Sequence, residues 1–366
     1  MKIVMVCPYA MGRPGGVQTH VRDMAGWLRS QGHGVRIVAP DDGNEEEGLY
    51  PLGGFRKITL HGTSFEIARA NRKAVQTCSR DLREWGADVV HLHTPWTPMM
   101  AWQIWKALNL PTVATFHATL PESTGFDPMT AFLNRAARYF SKRLDHIVVP
   151  SRAPQAQWEQ LGLPAPTIIS PTIDLSKWRA ACGTPGDRLK IVYLGRLEER
   201  KGLTVLLDAW QDIAAMLPRA ELTIAGSGEL QSAIETQISS LGLQRIRLIP
   251  APDDATAKSL VGESDLFLAP ALEGESFGLV LIEAMAAGTL PIAASNAGFR
   301  TVMTGAGQSL LVAPGDAFAL AERVIEVASN PAERVALQAW ASKRAFEFDV
   351  ASVGPDYVAL YQSALA

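Results

Sequence analysis

The sequence predicts an α/β protein of two Rossmann-like domains, each with a parallel sheet, facing one another across an interdomain cleft. Three observations carry this. Short apolar stretches alternate with helical ones, the pattern of a parallel sheet. The alternation lapses after about residue 174 and starts afresh at 189. At 366 residues the chain exceeds what one hydrophobic core usually serves.

The first domain opens with an apolar strand from Lys2 to Cys7 and a loop holding Pro14, Gly15 and Gly16. Val17, Val21, Met24 and Leu28 then recur at helical spacing up to Ser30. "GHGVRIVAP", "ADVVHLHT" (87–94), "PTVATFH" (111–117), "DHIVVPS" (145–151) and "APTIISP" (165–171) read as further strands. The restart begins with "LKIVYLG" (189–195) and a helix that ends before Pro218. "AELTIAG" (220–226), "IRLIP", "SDLFLAP" (264–270) and "LPIAAS" (290–295) continue it as strands. The joint falls in the Gly- and Pro-containing stretch 174–188. The domains are therefore 1–173 and 174–348, with a last helix over about 349–366.

No apolar run approaches the roughly 20 residues that span a bilayer. "MKIVMVC", broken by Pro8, is too short for a signal peptide. Cys7, Cys78 and Cys182 are odd in number and scattered, so reduced thiols in a cytoplasmic protein are expected. Residues 1–170 hold 18 Lys and Arg against 14 Asp and Glu; the remainder holds 16 against 23. A mildly basic first half suits an anionic partner or equally an ordinary solvated surface, and no nucleic-acid partner is expected.

Ligands of open parallel sheets bind outside the carboxyl ends of the strands, so the residues just after strands are the candidates. Gly15 and Gly16 precede a helix N-terminus, where free N–H groups attract anions. His91, His93 and His117 lie near strand ends; His117 is the best placed, and no ligand spacing for zinc accompanies them. Arg196 and Lys201 follow the first strand of the second domain, where a fork and a point charge suit a pyrophosphate. Glu198, Glu199 and Arg200 between them read as a solvated loop. Gly226 and Gly228 form another turn after a strand but lack the spacing of a dinucleotide fingerprint.

"EGESFGLVLIEAMAAG" (273–288) is the most specific stretch. It reads as a loop, a helix with Ser276 at its N-cap, and a stop at Gly288. Glu283 is the only charged residue from Ser276 to Phe299. Seven residues from Ser276, it should share its face and be buried, which is costly unless the carboxylate is hydrogen-bonded. Its partner is either a Lys or Arg of the fold or a ligand diol such as a ribose. Glu275 stands where a ligand on the helix N-terminus would sit.

These motifs resemble the retaining glycosyltransferases of family 4, with the GT-B fold, over nearly the whole chain. The opening "VCPYAMGRPGGVQTH" and "GESFGLVLIEAMAAGT" most resemble phosphatidylinositol mannosyltransferases. The resemblance implies that Glu283 binds the nucleotide ribose and Glu275 the donor sugar. Arg196 and Lys201 would hold the diphosphate, with Gly226 and the N–H groups of Ser276, Phe277, Gly278 and Leu279 nearby. Gly15 and Gly16 would approach the diphosphate, His117 the transferred sugar, and Tyr9 and Gln18 the acceptor. His117, Glu275, Arg196 and Lys201 are thus the expected catalytic set, with no metal and no cofactor beyond the nucleotide sugar. The final helix would cross back onto the first domain. Two departures stand out. "SPTID" replaces the usual Asn-Gly before Asp174, and "FHATLPES" has Ala118 and Glu122 where the phosphatidylinositol-acting type has Thr and Lys.

The expected function is transfer of a mannose-like hexose, from GDP-mannose by preference, to a lipid-linked or small polar hydroxyl acceptor. The alternatives are a UDP-sugar transferase on a soluble or polysaccharide acceptor, a non-catalytic nucleotide-sugar-binding protein, and a UDP-sugar epimerase of the same fold. Peripheral membrane docking is suggested by Arg69, Arg72, Lys73, Arg80 and Arg83, and by Arg135, Arg138 and Lys142 near Phe132, Tyr139 and Phe140. Solvated helix faces with core-facing apolar sides are the competing explanation.

Overall fold

The computed structural model describes residues 1–13, 15–60, 63–95, 99–117, 128–179 and 188–366. It forms two compact units: Met1–Ile173 with Val350–Ala366, and Asp174–Asp349.

In the first unit the chain runs β1 (Lys2–Val6), α1 (Gly16–Ser30), β2 (Gly34–Ala39), β3 (Leu49–Pro51), β4 (Gly54–Leu60), β5 (Thr63–Arg69) and α2 (Arg72–Glu84). It continues through β6 (Val89–His93), α3 (Met100–Leu108), β7 (Thr112–Thr115), α4 (Pro128–Phe140), β8 (His146–Val149), α5 (Arg152–Gln160) and β9 (Thr167–Ile168). Seven strands pair in the order β3-β2-β1-β6-β7-β8-β9, all parallel. A parallel sheet is covered on both faces, so its central strands are apolar throughout. Alternate residues serve the two sides: Val4, Val6, Val90 and Leu92 join one core with α2, α3, α4 and α5. Ile3, Met5 and Val89 join the other.

The second unit runs α6 (Ser176–Arg179), β10 (Leu189–Leu194), α7 (Leu203–Met216), β11 (Ala220–Gly226), α8 (Gln231–Ser240), β12 (Ile246–Pro250) and α9 (Asp254–Gly262). Then come β13 (Leu266–Ala269), α10 (Leu279–Ala286), β14 (Leu290–Ala294), α11 (Ala297–Val302), β15 (Leu311–Val312), α12 (Ala317–Ser329) and α13 (Pro331–Phe346). Its parallel sheet has the order β12-β11-β10-β13-β14-β15. Both sheets therefore start in the middle and reverse direction beside their first strand. That reversal lies between β1 and β6 in one unit, and between β10 and β13 in the other. It opens a crevice at the strands' carboxyl ends, where doubly wound sheets bind ligands.

The last helix, α14 (Val350–Leu365), belongs to the first unit. The Val350 N–H donates to the Ile173 carbonyl at 2.9 Å. Tyr357 and Tyr361 are fully buried in the core that also holds Val21, Met24 and Leu28 of α1. Gly354 lets the two helices meet, since a Cβ there would lie 2.5 Å from the Trp27 ring.

Several sequence expectations change. The antiparallel hairpin β4–β5 was not foreseen. The predicted strand 165–171 shrinks to the two residues of β9. The basic stretch 65–85 is divided, with Arg69 on β5 and Arg72, Lys73, Arg80 and Arg83 on α2. Lys142 lies beyond α4, and Phe140 is fully buried. Tyr139 stacks on Trp102 with 5.6 Å between ring centroids. These two aromatics serve the core rather than an outer face. Cys7 and Cys78 are buried free thiols, and burial pushes both up to about 12, which keeps them inert. Cys182 lies outside the described residues.

Gly354→Ala tests the α1–α14 contact. Alanine gains up to about 1 kcal/mol of helix propensity. Overpacking costs about 1–3 kcal/mol, and a rigid indole cannot swing away like a flexible chain end. A lowered Tm is expected by thermal circular dichroism; a Tm at or above wild type would mean that the helices part without cost.

Candidate functional site

The candidate residues fall at the two reversal points or one strand from them. In the second unit, the loop after β10 supplies Arg196, Glu198, Arg200 and Lys201, and the loop after β13 supplies Glu275. The Lys201 ammonium pairs with the Glu275 carboxylate. Arg200 lies between two acids, 3.0 Å from Glu198 and 3.8 Å from Glu275. Arg196 reaches Glu198 at 2.8 Å while keeping half of its side chain exposed. Glu198 and Arg200 are thus not a solvated loop: Glu198 is only 7% exposed. No local pattern shows this, because the loop after β13 brings Glu275 to Arg200 and Lys201 from far along the chain. Arg196, Arg200 and Lys201 thus gather beside the N-terminus of α10. Such a place suits an anion.

Glycines hold these loops in place. Gly202, with φ 70°, passes so close to Pro270 that a Cβ would meet its carbonyl oxygen at 2.1 Å. Gly298 on α11 fits against the Glu275 carbonyl, which a Cβ would approach to 2.3 Å. Asn296 caps α11 through the Phe299 N–H at 2.9 Å and donates to the Ala271 carbonyl at 3.1 Å. Neither Asn296 nor Gly298 was singled out in the sequence; the clue was "SNAG" directly after a strand. Gly226 likewise answers a packing demand, since a Cβ would meet the Gly195 carbonyl oxygen at 1.8 Å. That close approach accounts for the glycine without a ligand.

Two expectations about the 273–288 stretch need correction. Ser276 is not the N-cap of α10; Gly278 is, at φ 109°, and the helix starts at Leu279. The shared face of Ser276 and Glu283 therefore fails, because Ser276 is not helical. Glu283 is also not fully buried. It lies on the one partly exposed stripe of α10, a turn beyond Leu279 and Val280, while Leu281, Ile282, Ala284 and Met285 face the core. Phe277 is buried against Phe348, 5.4 Å between ring centroids.

In the first unit, Tyr9, Gly15 and Gly16 follow β1, and Gly16 opens α1. Gln18 is buried and donates to the Ala10 carbonyl at 3.3 Å, so it braces the loop. Glu66 of β5 accepts the Ala10 N–H at 3.0 Å and pairs with Arg13. His91 and His93, two apart on β6, point to the same face, where Tyr361 of α14 meets His91 Nδ1 at 2.7 Å and Thr115 meets Nε2 at 2.8 Å. His93 Nδ1 lies 3.0 Å from Nε2 of His117, which follows β7 and is partly exposed. Ala118 and Glu122 lie outside the described residues.

His20, on α1, completes the cluster. Ring nitrogens of His20, His93 and His117 lie within 4.8 Å of one another, the one such grouping among the described residues with the spacing of metal ligands. The donor set fits a metal poorly. His20 Nδ1 accepts the Thr172 N–H at 2.9 Å, so its proton sits on Nε2, and that nitrogen has no lone pair to offer.

Burial keeps the cluster neutral. It pushes His20 down to about 4 and holds His91, His93 and His117 well below the ordinary histidine value. Unfolded, His20 takes up its proton near its ordinary value of 6.5; folded, only near 4. Between those values the unfolded chain binds more protons, so stability falls as pH drops. By pH 4 His20 alone accounts for about 3 kcal/mol. A Tm series from pH 7.5 to 4.5 should fall steeply for wild type and less steeply for His20→Gln; equal slopes would show that His20 is not the neutral group described.

Comparisons with known proteins agree with this layout. Residues 174–344 match the family described as glycosyl transferases group 1, and residues 14–177 match Glycosyltransferase Family 4. The chain is 32% identical to the phosphatidyl-myo-inositol mannosyltransferase of Mycolicibacterium smegmatis, over 99% of this chain and 94% of that one. It is 31% identical to the enzyme of that name from Mycobacterium leprae, over 99% and 97%. The fold matches that of Anabaena HepE in complex with UDP, with a TM-score of 0.77, 19% identity, and coverage of 99% and 100%. The two matched segments adjoin and the relatives align along almost the whole length, so the chain belongs to the retaining GT-B glycosyltransferases of family 4.

Proposed function

We propose that the second unit binds a nucleoside diphosphate hexose at the β10–β13 reversal and that the first unit binds the hydroxyl acceptor. The observation that carries this is the Arg196–Glu198–Arg200–Lys201–Glu275 cluster beside the α10 N-terminus. In this reading Arg196 and Lys201 take the diphosphate, with Gly226 and the N–H groups of Ser276, Phe277, Gly278 and Leu279 alongside. Lys201 holds Glu275 ready for the sugar hydroxyls. Glu283 takes the ribose diol, His117 the sugar, Gly15 and Gly16 the diphosphate, and Tyr9 and Gln18 the acceptor side.

The chemistry follows from charge. Departure of the nucleoside diphosphate concentrates negative charge on the leaving phosphate, and fixed cations with a helix N-terminus stabilise it. The sugar becomes oxocarbenium-like. Retention then follows if the acceptor oxygen attacks from the side the phosphate leaves, and the departing phosphate takes the acceptor's proton. This route asks for no protein nucleophile.

Two donors are compatible with the half-site. GDP-mannose with a lipid-linked acceptor is supported by the names of the 31–32% identical relatives. A UDP-sugar with a soluble or polysaccharide acceptor is supported by the UDP held in a neighbour of the same fold. It is also supported by Ala118 and Glu122, which replace the Thr and Lys of the lipid-acting type. The burial of Phe140 and the stacking of Tyr139 favour it too, since these two are then withheld from a bilayer and only Phe132 of the three stays exposed. The weight falls on the UDP-sugar reading.

Calorimetry with UDP, GDP and ADP decides the donor: micromolar binding of UDP with weak GDP binding is expected, and the reverse order would restore the mannosyl reading. Glu283→Ala should weaken nucleotide binding by about 10- to 100-fold, the loss of a charged hydrogen-bond pair. Unchanged affinity would remove Glu283 from the ribose. Replacing the exposed Arg72, Lys73 and Arg80 together by Ala should leave flotation with phosphatidylglycerol vesicles unaltered; a marked loss would return the acceptor to the membrane.

A further inference from the structure

The histidine cluster contains a group that the proposed reaction does not use. His93 is fully buried, yet one of its nitrogens faces His117 and the other meets no protein acceptor or donor. The His93 and His117 rings lie 16° from coplanar with centroids 5.3 Å apart and nitrogens 3.0 Å apart. That geometry is end to end, one ring nitrogen aimed at the other, as an in-plane N–H···N bond requires.

We propose that His93 is a positioning residue for His117: its Nδ1–H donates to His117 Nε2, so that His117 carries its proton on Nδ1 and presents that N–H to the ligand. The inference rests on the reading of His117 as the group that faces the sugar.

One proton lies between two neutral rings, so there are two ways to place it. In the opposite arrangement His117 Nε2–H donates to His93 Nδ1, and His93 must carry its own proton on Nε2. That nitrogen is buried without a partner among protein atoms. His20 already places one unmatched N–H in the same cluster, because its Nδ1 accepts from Thr172 and its Nε2 finds no partner. The opposite arrangement thus leaves two unmatched buried N–H groups in one cluster. The proposed one leaves only one. Orphaned buried N–H groups are also rarer than under-used acceptors. His91 cannot take over the role, since both of its nitrogens are engaged, by Tyr361 and Thr115.

The consequence is a division of labour. His117 becomes a hydrogen-bond donor to a sugar or phosphate oxygen and not a general base, in keeping with a proton that leaves through the departing phosphate. Which ring nitrogen carries the proton is set by the bond that the other makes, so the setting lies with His93.

The test is a long-range proton–nitrogen correlation spectrum of the full chain labelled with ¹⁵N-histidine, at pH 7.5, with His117→Gln to assign the signal. The Nδ1–H form of His117 is expected in wild type, and the Nε2–H form in His93→Leu. The turnover of His93→Leu should fall by about 10- to 100-fold with the donor KM nearly unchanged. His93→Asn, whose amide can still donate to His117 Nε2, should recover most of the loss. An Nε2–H signal for His117 in wild type would overturn the proposal, even if His93→Leu fails to fold. So would a His93→Leu protein with wild-type turnover. Should wild type transfer no sugar from UDP or GDP donors, the functional reading fails, and the spectrum still decides where the proton lies.

Discussion

Every strand of both main sheets runs parallel to its neighbours, and that single constraint organises the rest. A parallel strand cannot turn back on itself; each needs a crossover, and the crossovers cover both faces. The strands are therefore apolar on both sides, and polar chemistry is driven to their ends. Winding outward in both directions from a central strand leaves one place in each sheet where crossovers diverge. The candidate-site charges of the second unit and the histidines of the first lie at, or one strand from, that place.

The second unit shows what such a place can hold. Two loops that would each be solvated alone meet there, and their charges pair. Arg200 and Lys201 of one loop meet Glu275 of the other, and Glu198 beside them loses most of its water. The close approach leaves no room for side chains at Gly202, Gly226 and Gly298. A glycine after a strand is thus ambiguous by itself: it can admit a ligand or a neighbouring carbonyl, and at Gly226 the carbonyl suffices.

The first unit places neutral groups in the corresponding position. Four histidines and two tyrosines lie under the carboxyl ends of β6 and β7, with His20 from α1 and the tyrosines from α14. Burial keeps the rings uncharged, so their influence is directional rather than coulombic. α14, although last in the chain, is part of this core, and its Gly354 records how closely it is seated on α1.

The sequence by itself determined the alternation of strands and helices, the restart at 189, and the position of Arg196, Lys201, Glu275 and His117 after strands. These are local properties: a period of two or 3.6 residues, a turn, a chain end. It did not reveal the β4–β5 hairpin, whose pairing depends on a partner strand rather than on its own pattern. It misplaced the N-cap at Ser276 because a loop ending in a positive-φ glycine reads like a cap two residues early. It made Glu283 buried because its neighbours are apolar, whereas one stripe of α10 is left open. Only the tertiary structure decided that Glu198 is buried, that Lys201 pairs with Glu275, and that His20, His93 and His117 converge. Those contacts join residues up to about a hundred positions apart, and no local pattern records what a distant loop brings to the same strand end.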